Sequence, residues 1–272
     1  MLKYIVFVTL KKLESLETLE KECKEKEVEL HYGLPDKKIL PAETLYLTDQ
    51  ECIAKKYMEE KSNVLVWLHE ENKDQNFAYL PYAVENIQEI DFMYLERIYQ
   101  RFRGIPWRIC ETKRCIIREM SEDDMEEIYK IYRGKNVRKY MDPLQEDRKK
   151  ELELIRSYIK NQYGFWGYGI WMIERKEDRR VIGRVGFHLR QGYEEPELGF
   201  VIGEEYQRLG YAYECCKAVL ETGRKEYEFD RVQALVKEEN KASISLCKKL
   251  GFTRIEKIKN KETYLRFCME VR

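Results

Sequence analysis

The stretch "ELGFVIGEEYQRLGYAYECCKAVLETGRKEY", Glu197 to Tyr227, constrains this chain more than any other. An apolar run of strand length leads through acids into Gln207-Arg208-Leu209-Gly210-Tyr211-Ala212. Then Ala212, Cys215, Cys216, Val219, Leu220, Gly223 and Tyr227 recur at helical spacing. A single apolar stripe at that spacing predicts a helix lying with one face on a sheet. The first amides of such a helix lack intrahelical partners and sit at the positive end of its dipole. With a bare Gly210 and a small Ala212, the junction lets an anion approach the main chain, and a pyrophosphate suits it. Arg208 adds a charge-assisted contact. The same stripe turns Cys215 and Cys216 into the core and away from chemistry.

The elements around this stretch divide into two modules with a seam near residue 111, where Gly104 and Pro106 end a helical pattern (Phe92, Leu95, Ile98, Tyr99, Phe102). Residues 1–111 read as a smaller α/β domain. Strands are expected at Tyr4–Thr9, Thr44–Thr48, Val64–Leu68 and Phe77–Val84, alternating with helices, which argues for a parallel or mixed sheet. Asp49 is placed to cap the helix after the second of these strands. Residues 112–272 begin with a strand at Cys115–Met120 and a capping box, Ser121 with Asp124, before an amphipathic helix through Met125, Ile128, Tyr129 and Tyr132. A helix at Arg148–Asn161 follows, with strands at Gly169–Glu174, Val181–Leu189, Glu197–Ile202 and Arg231–Lys237. A short helix at Ala242–Leu250 ends at Gly251, and a last hairpin turns at Asn260-Lys261. The fold class is α/β (α+β): a mixed sheet flanked by helices, preceded by the smaller domain.

Lys+Arg and Asp+Glu are both 50, so the chain has no net charge to draw it to nucleic acid or to an anionic membrane. The apolar run after Met1 is too short to span a bilayer and no cleavage-like site follows it. The eight cysteines form no C-x-x-C pair, and three histidines make no zinc cluster, so no metal is expected. Scattered thiols in a chain this long suit a reducing, cytoplasmic setting.

The segment "QRLGYA" fits the pattern Q/R-x-x-G-x-G/A and resembles the signature of the GNAT N-acetyltransferase superfamily. Its context is similar too: "ELGFVI" before it, "NKASISLCKKLGF" after it, and "CIIREMSEDDMEEIYKIY" at the opening of the module, all in the family's order. The branch with ribosomal-protein alanine acetyltransferases is the most similar. The resemblance implies a largely antiparallel GNAT sheet and acetyl-CoA as co-substrate. It implies pyrophosphate binding by Gln207, Arg208, Leu209, Gly210, Tyr211 and Ala212, and pairing of the pantetheine arm with the strand at Val201 and Ile202. It further implies an oxyanion contact from the backbone of Val201, and cofactor contacts at Asn240 and Ser243, which otherwise read as a turn residue and a helix cap.

An ammonium must lose a proton before it attacks a thioester. The resemblance implies Glu197 as general base; a plain reading makes it an exposed glutamate at a strand start. His188 on the neighbouring strand is a rival base. Many relatives keep a tyrosine as general acid seven residues after the asparagine, and Cys247 stands there, which reads as a buried thiol; Tyr264 and Tyr206 are other candidates. Tyr140, Trp166, Tyr168 and His188 are candidates for the acceptor pocket, with core packing as the competing reading of the aromatics.

These features imply N-acetyl transfer from acetyl-CoA to a primary amine of a small molecule or a peptide N-terminus. A CoA-binding regulatory or scaffold protein without turnover is the alternative. Leu45 to Asn72 is loosely similar to a late βαβ segment of haloacid dehalogenase-like phosphatases, with Asp49 where that family places a metal carboxylate. The aspartates of this module, Asp36, Asp49, Asp74 and Asp91, are isolated, so no D-x-D nucleophile pair exists. The module therefore reads as a degenerate, non-catalytic domain. Docking on the transferase, shaping its acceptor site and mediating homodimer formation are the roles open to it.

Overall fold

A computed structural model describes residues 1–34, 39–259 and 262–271. The expected turn at Asn260-Lys261 lies outside these residues. The chain forms two compact units, Met1–Ile105 and Pro106–Arg272. The seam falls at the Gly104–Pro106 signal itself, before residue 111. The segment after it, which the sequence assigns to the first module, is a strand of the second sheet.

The first unit is a five-stranded sheet in the order β2-β1-β3-β4-β5, built from β1 (Tyr4–Val8), β2 (Glu29–Tyr32), β3 (Thr44–Thr48), β4 (Asn63–Trp67) and β5 (Ala83–Val84). Every ladder is parallel. Alternation along the strands sends Ile5, Phe7, Leu45, Leu47 and Leu65 to one core with helices α1 (Glu17–Glu25) and α3 (Phe92–Arg103). It sends Val6, Tyr46, Val64 and Val66 to the other face, under α2 (Glu51–Glu59). The expected strand at Phe77–Val84 shrinks to two residues, and β2 is an addition at the edge.

Asp49 does not cap α2: Gln50 is the N-cap residue and makes no side-chain cap bond. The Asp49 carboxylate, 2% exposed, instead accepts from the amides of Leu10 (2.9 Å) and Lys11 (2.8 Å). It also lies 3.3 Å from His69 Nε2. It ties together the carboxyl ends of β1, β3 and β4. That end of the β1/β3 boundary is where a doubly wound sheet leaves its crevice.

The second unit carries an eight-stranded sheet in the order β12-β13-β11-β10-β9-β8-β7-β6. Its strands are β6 (Arg108–Glu111), β7 (Cys115–Arg118), β8 (Ile170–Arg175), β9 (Val181–His188), β10 (Glu197–Ile202), β11 (Arg231–Lys237), β12 (Thr253–Lys259) and β13 (Thr263–Glu270). All neighbours are antiparallel except β10 and β11. Its helices are α4 (Met125–Arg133), α5 (Lys135–Arg138), α6 (Arg148–Tyr158), α7 (Tyr211–Glu226) and α8 (Lys241–Leu250). The expected capping box is present ahead of α4, with Ser121 N donating to Asp124 Oδ2 at 2.7 Å. The helix through Arg148 continues as a π-helical turn, Ile159–Trp166, closed by Gly167 in the left-handed conformation.

The stripe on α7 lands as its spacing requires, with Cys215, Cys216, Val219, Leu220 and Gly223 buried. A side chain at Gly223 would come within 2.9 Å of the Phe187 ring, so the helix rides close on the sheet there.

Candidate active site

The parallel pair β10–β11 holds together at one point. Six register pairs join β9 to β10, but β10 meets β11 only at Glu197 and Gln233, where Gln233 N donates to Pro196 O (3.0 Å). Beyond that vertex the two strands part and leave a gap in the sheet. Gly203 N donates to Ile182 O on β9 (2.8 Å). Successive residues turn their main-chain groups to opposite edges. The amides of Gly199 and Val201 therefore face β9, that of Leu198 closes the bridge to Gln233, and those of Phe200 and Ile202 face the gap. The amide of Val201 is thus turned away from the position the sequence assigned it. Counting residues along a strand does not fix which edge each presents; the register does.

Beyond β10 the chain makes a 3-10 turn, Glu204–Tyr206, and enters α7 through a strained corner. Gln207 reaches back, its Nε2 donating to Ile202 O at 2.9 Å. Arg208 (φ 60°) and Gly210 (φ 85°) both adopt the left-handed conformation, which glycine takes at no steric cost and arginine does not. Leu209 and Arg208 are exposed. The helix starts at Tyr211, one residue before the expected Ala212, with Gly210 as an N-cap that has no side chain. Its first internal donor is Glu214 N, to Gly210 O (3.1 Å), so the amides of Tyr211, Ala212 and Tyr213 precede the intrahelical ladder. The gap and this helix terminus lie at the two ends of one short connection. Across the gap, Asn240 caps α8, accepting from Ser243 N at 3.1 Å.

Glu197 is buried at the vertex, not exposed at a strand start. Arg190, from the β9–β10 hairpin, grips it with Nε on Oε2 and Nη2 on Oε1 (3.1 Å). His188, its direct cross-strand partner, brings Nε2 to 3.6 Å from Oε2. Burial holds the His188 imidazole below its ordinary value of 6.5, against the pull of the Glu197 charge. Its Nδ1 is buried with no hydrogen-bond partner, over the Cα of Gly199, where a side chain would come within 3.6 Å of it. The vertex is braced by Gln233, which is fully buried, accepts from Arg266 Nε (2.8 Å) and donates to Glu195 O (3.0 Å).

The remaining candidates separate. Cys247 is fully buried and its thiol is pushed up to about 12 by burial. Tyr264 donates to Glu262 (2.8 Å) and is raised by burial. Tyr206 lies beside the corner, its ring under Arg175 at 5.3 Å. Tyr140 donates to Glu239 O (3.3 Å), which joins the segment after α5 to the loop before α8. Tyr168 belongs to the core, packed on Tyr227 and Phe229. Trp166 is exposed at the end of the π-helical turn, beside Phe165. Arg190 and Gln233 carry no signal in the sequence that marks them as parts of this site. Among the described residues no cluster of His, Cys, Asp and Glu could hold a metal, and no helix is long and apolar enough to cross a membrane.

A family model described as an acetyltransferase (GNAT) domain matches residues 114–253, all within the second unit. The chain is 33% identical over 146 residues to an uncharacterized N-acetyltransferase, YnaD, of Bacillus subtilis, a match covering 53% of this chain and 81% of that protein. It is 30% identical over 148 residues to a second, YoaA, of the same organism, covering 54% of this chain and 83% of that one. Among solved structures it is similar to a GNAT-family acetyltransferase from Bacillus anthracis (TM-score 0.51, 20% identity, 59% of this chain and 97% of that one). It is also similar to RimL, a ribosomal L7/L12 alpha-N-protein acetyltransferase solved with coenzyme A (TM-score 0.53, 13% identity, 60% and 98%). At these identities the structural likeness speaks to fold.

Proposed function

The chain belongs to the GNAT acetyltransferase family, and from that membership we propose that it transfers an acetyl group from acetyl-CoA to a primary amine of a small molecule or a peptide N-terminus. The observation that carries this reading is the opening between β10 and β11, which runs from the Glu197–Gln233 vertex toward the free amides at the start of α7. An acyl-CoA fits it in three respects. The gap offers an unpaired strand edge at Phe200, together with the amide of Ile202, for the amides of a pantetheine arm. The corner from Gln207 to Ala212 offers main-chain donors and no side chain at Gly210 for a pyrophosphate. Asn240 and Ser243 at the start of α8 border the other side. When bound, acetyl-CoA supplies an activated acyl carbon and a thiolate leaving group.

The protein's own part is to hold and deprotonate the amine. We place the oxyanion contact on the gap-facing amide of Phe200, in place of Val201. We place the proton acceptor on the His188–Glu197 pair. His188 is neutral near pH 7 because burial lowers its pKa, and it can take a proton from the ammonium. The Glu197 carboxylate then balances the imidazolium, as a carboxylate does for a catalytic histidine elsewhere. Arg190 holds that carboxylate in place at both oxygens. Cys247, too weak an acid and too buried to protonate a leaving thiolate, is left out; the second proton of the attacking amine passes through water to the departing thiolate.

A panel of small amines and N-terminal peptides, assayed for CoA release from pH 6 to 9, tests the proposal. Release with at least one acceptor is expected. Binding of CoA without release from any acceptor would establish the alternative, a CoA-binding scaffold, which the absence of a tyrosine at position 247 favours. The first unit we read as a non-catalytic α/β domain, degenerate relative to the haloacid dehalogenase-like type. Its parallel sheet and the engagement of Asp49 by two backbone amides support this.

A further inference from the structure

Arg114 lies in the turn between β6 and β7 and reaches α7, 100 residues further along the chain. Its amide donates to Glu214 Oε1 (2.9 Å) and its Nε to Glu214 Oε2 (2.7 Å). Its Nη1 donates to Leu209 O (3.0 Å). Its guanidinium stacks 4.1 Å from the centroid of the Tyr211 ring. A side chain on Gly210 would come within 3.4 Å of its Nη2. One side chain therefore touches Leu209, Gly210, Tyr211 and Glu214, the whole junction between loop and helix.

Two physical consequences follow. A trans peptide is planar, so its C=O and N–H point in opposite directions. Holding Leu209 O against Arg114 turns the next amide, Gly210 N–H, away from the guanidinium, just ahead of the amides of Tyr211, Ala212 and Tyr213 that precede the helical ladder. Glu214 lies in the first turn of α7, where its charge would repel an anion held at that terminus; Arg114 neutralises it. The fork of a guanidinium makes both contacts at once, which an ammonium cannot.

We propose that Arg114 is a positioning residue for the pyrophosphate of the acyl donor. It sets the Leu209–Gly210 peptide and cancels the Glu214 charge without itself reaching the anion. This rests on the acyl-CoA reading above.

The test compares acetyl-CoA with S-acetyl-pantetheine, a donor that has the thioester and the arm but neither pyrophosphate nor nucleotide. In Arg114→Ala, kcat/KM for acetyl-CoA is expected to fall by about tenfold, the effect of one charge-assisted contact. The fall appears in KM, with kcat and the acceptor KM held, and kcat/KM for S-acetyl-pantetheine is unchanged. Arg114→Lys, which disturbs folding less, should show the same selective loss in smaller measure. Equal losses with both donors would make Arg114 a structural residue only and overturn the assignment, as would variants that keep the parent preference for acetyl-CoA. A wild-type protein that binds CoA no better than pantetheine would overturn the acyl-CoA reading itself, and the Arg114 assignment with it.

Discussion

His188 and Glu197 face each other across β9 and β10, the imidazole Nε2 3.6 Å from the carboxylate Oε2. Each alters what the other can do. The carboxylate is committed to Arg190 and buried, while the imidazole is held neutral by desolvation and has one nitrogen without a partner. A base must be unprotonated to act, so activity is present above its pKa and is lost as pH falls through it. With His188 shifted downward, the acidic limb of kcat/KM is expected below 6.5, the ordinary imidazole value. His188→Gln should remove that limb and lower kcat/KM by about a hundredfold. A pH–rate profile that keeps the limb in His188→Gln would assign the proton to another group.

Glu197→Gln leaves Arg190 without its anion and His188 without its counter-charge. We expect a loss of kcat of about a hundredfold or more, with the KM for acetyl-CoA little changed. Steady-state kinetics with acetyl-CoA and acceptor varied separately would check this; a rise in acetyl-CoA KM alone would place Glu197 in donor binding.

Gly210 has φ 85° and lies against Arg114 Nη2. Gly210→Ala meets a backbone penalty of about 1–2 kcal/mol at the corner where the anion is proposed to bind. A several-fold increase in the Kd of CoA, read by calorimetry, is the expected outcome. Unchanged affinity would mean that the corner does not hold the pyrophosphate.

Cys247 is a fully buried thiol. Cys247→Ala should cost about 1 kcal/mol of stability through lost packing and leave kcat within about twofold. A large fall in kcat at an unchanged melting temperature would show that the thiol serves as the acid after all.

Asp49 joins two amides of the β1 end to the β4 end. Asp49→Ala removes a buried, charge-assisted acceptor and is expected to destabilise the first unit by about 3 kcal/mol. Hydrogen exchange at Leu10 and Lys11 is the direct readout: both amides should lose protection, and retained protection would refute the role.

Much of this was legible in the order of residues, and the exceptions share a cause. Strands β10 and β11, buried along most of their length, stand where their apolar runs predict, and the Ser121–Asp124 box marks the approach to α4. Strands β2 and β6 lie at sheet edges with half-exposed, polar faces and carry no such signal. The core of the candidate site divides in the same way. The glycine corner is local, so its composition announces it. The gap-facing amides depend on the phase of β10 against two neighbours. The grip of Arg190 on Glu197 and of Arg114 on Leu209 depends on chain segments brought together only by folding.

At the mouth of an open parallel sheet, backbone amides commonly wait for a diffusing anion. Here Leu10 and Lys11 find theirs on the same polypeptide. Such an occupant leaves only when the chain opens locally, so an incoming anion would have to compete for these two amides with the Asp49 carboxylate tethered beside them.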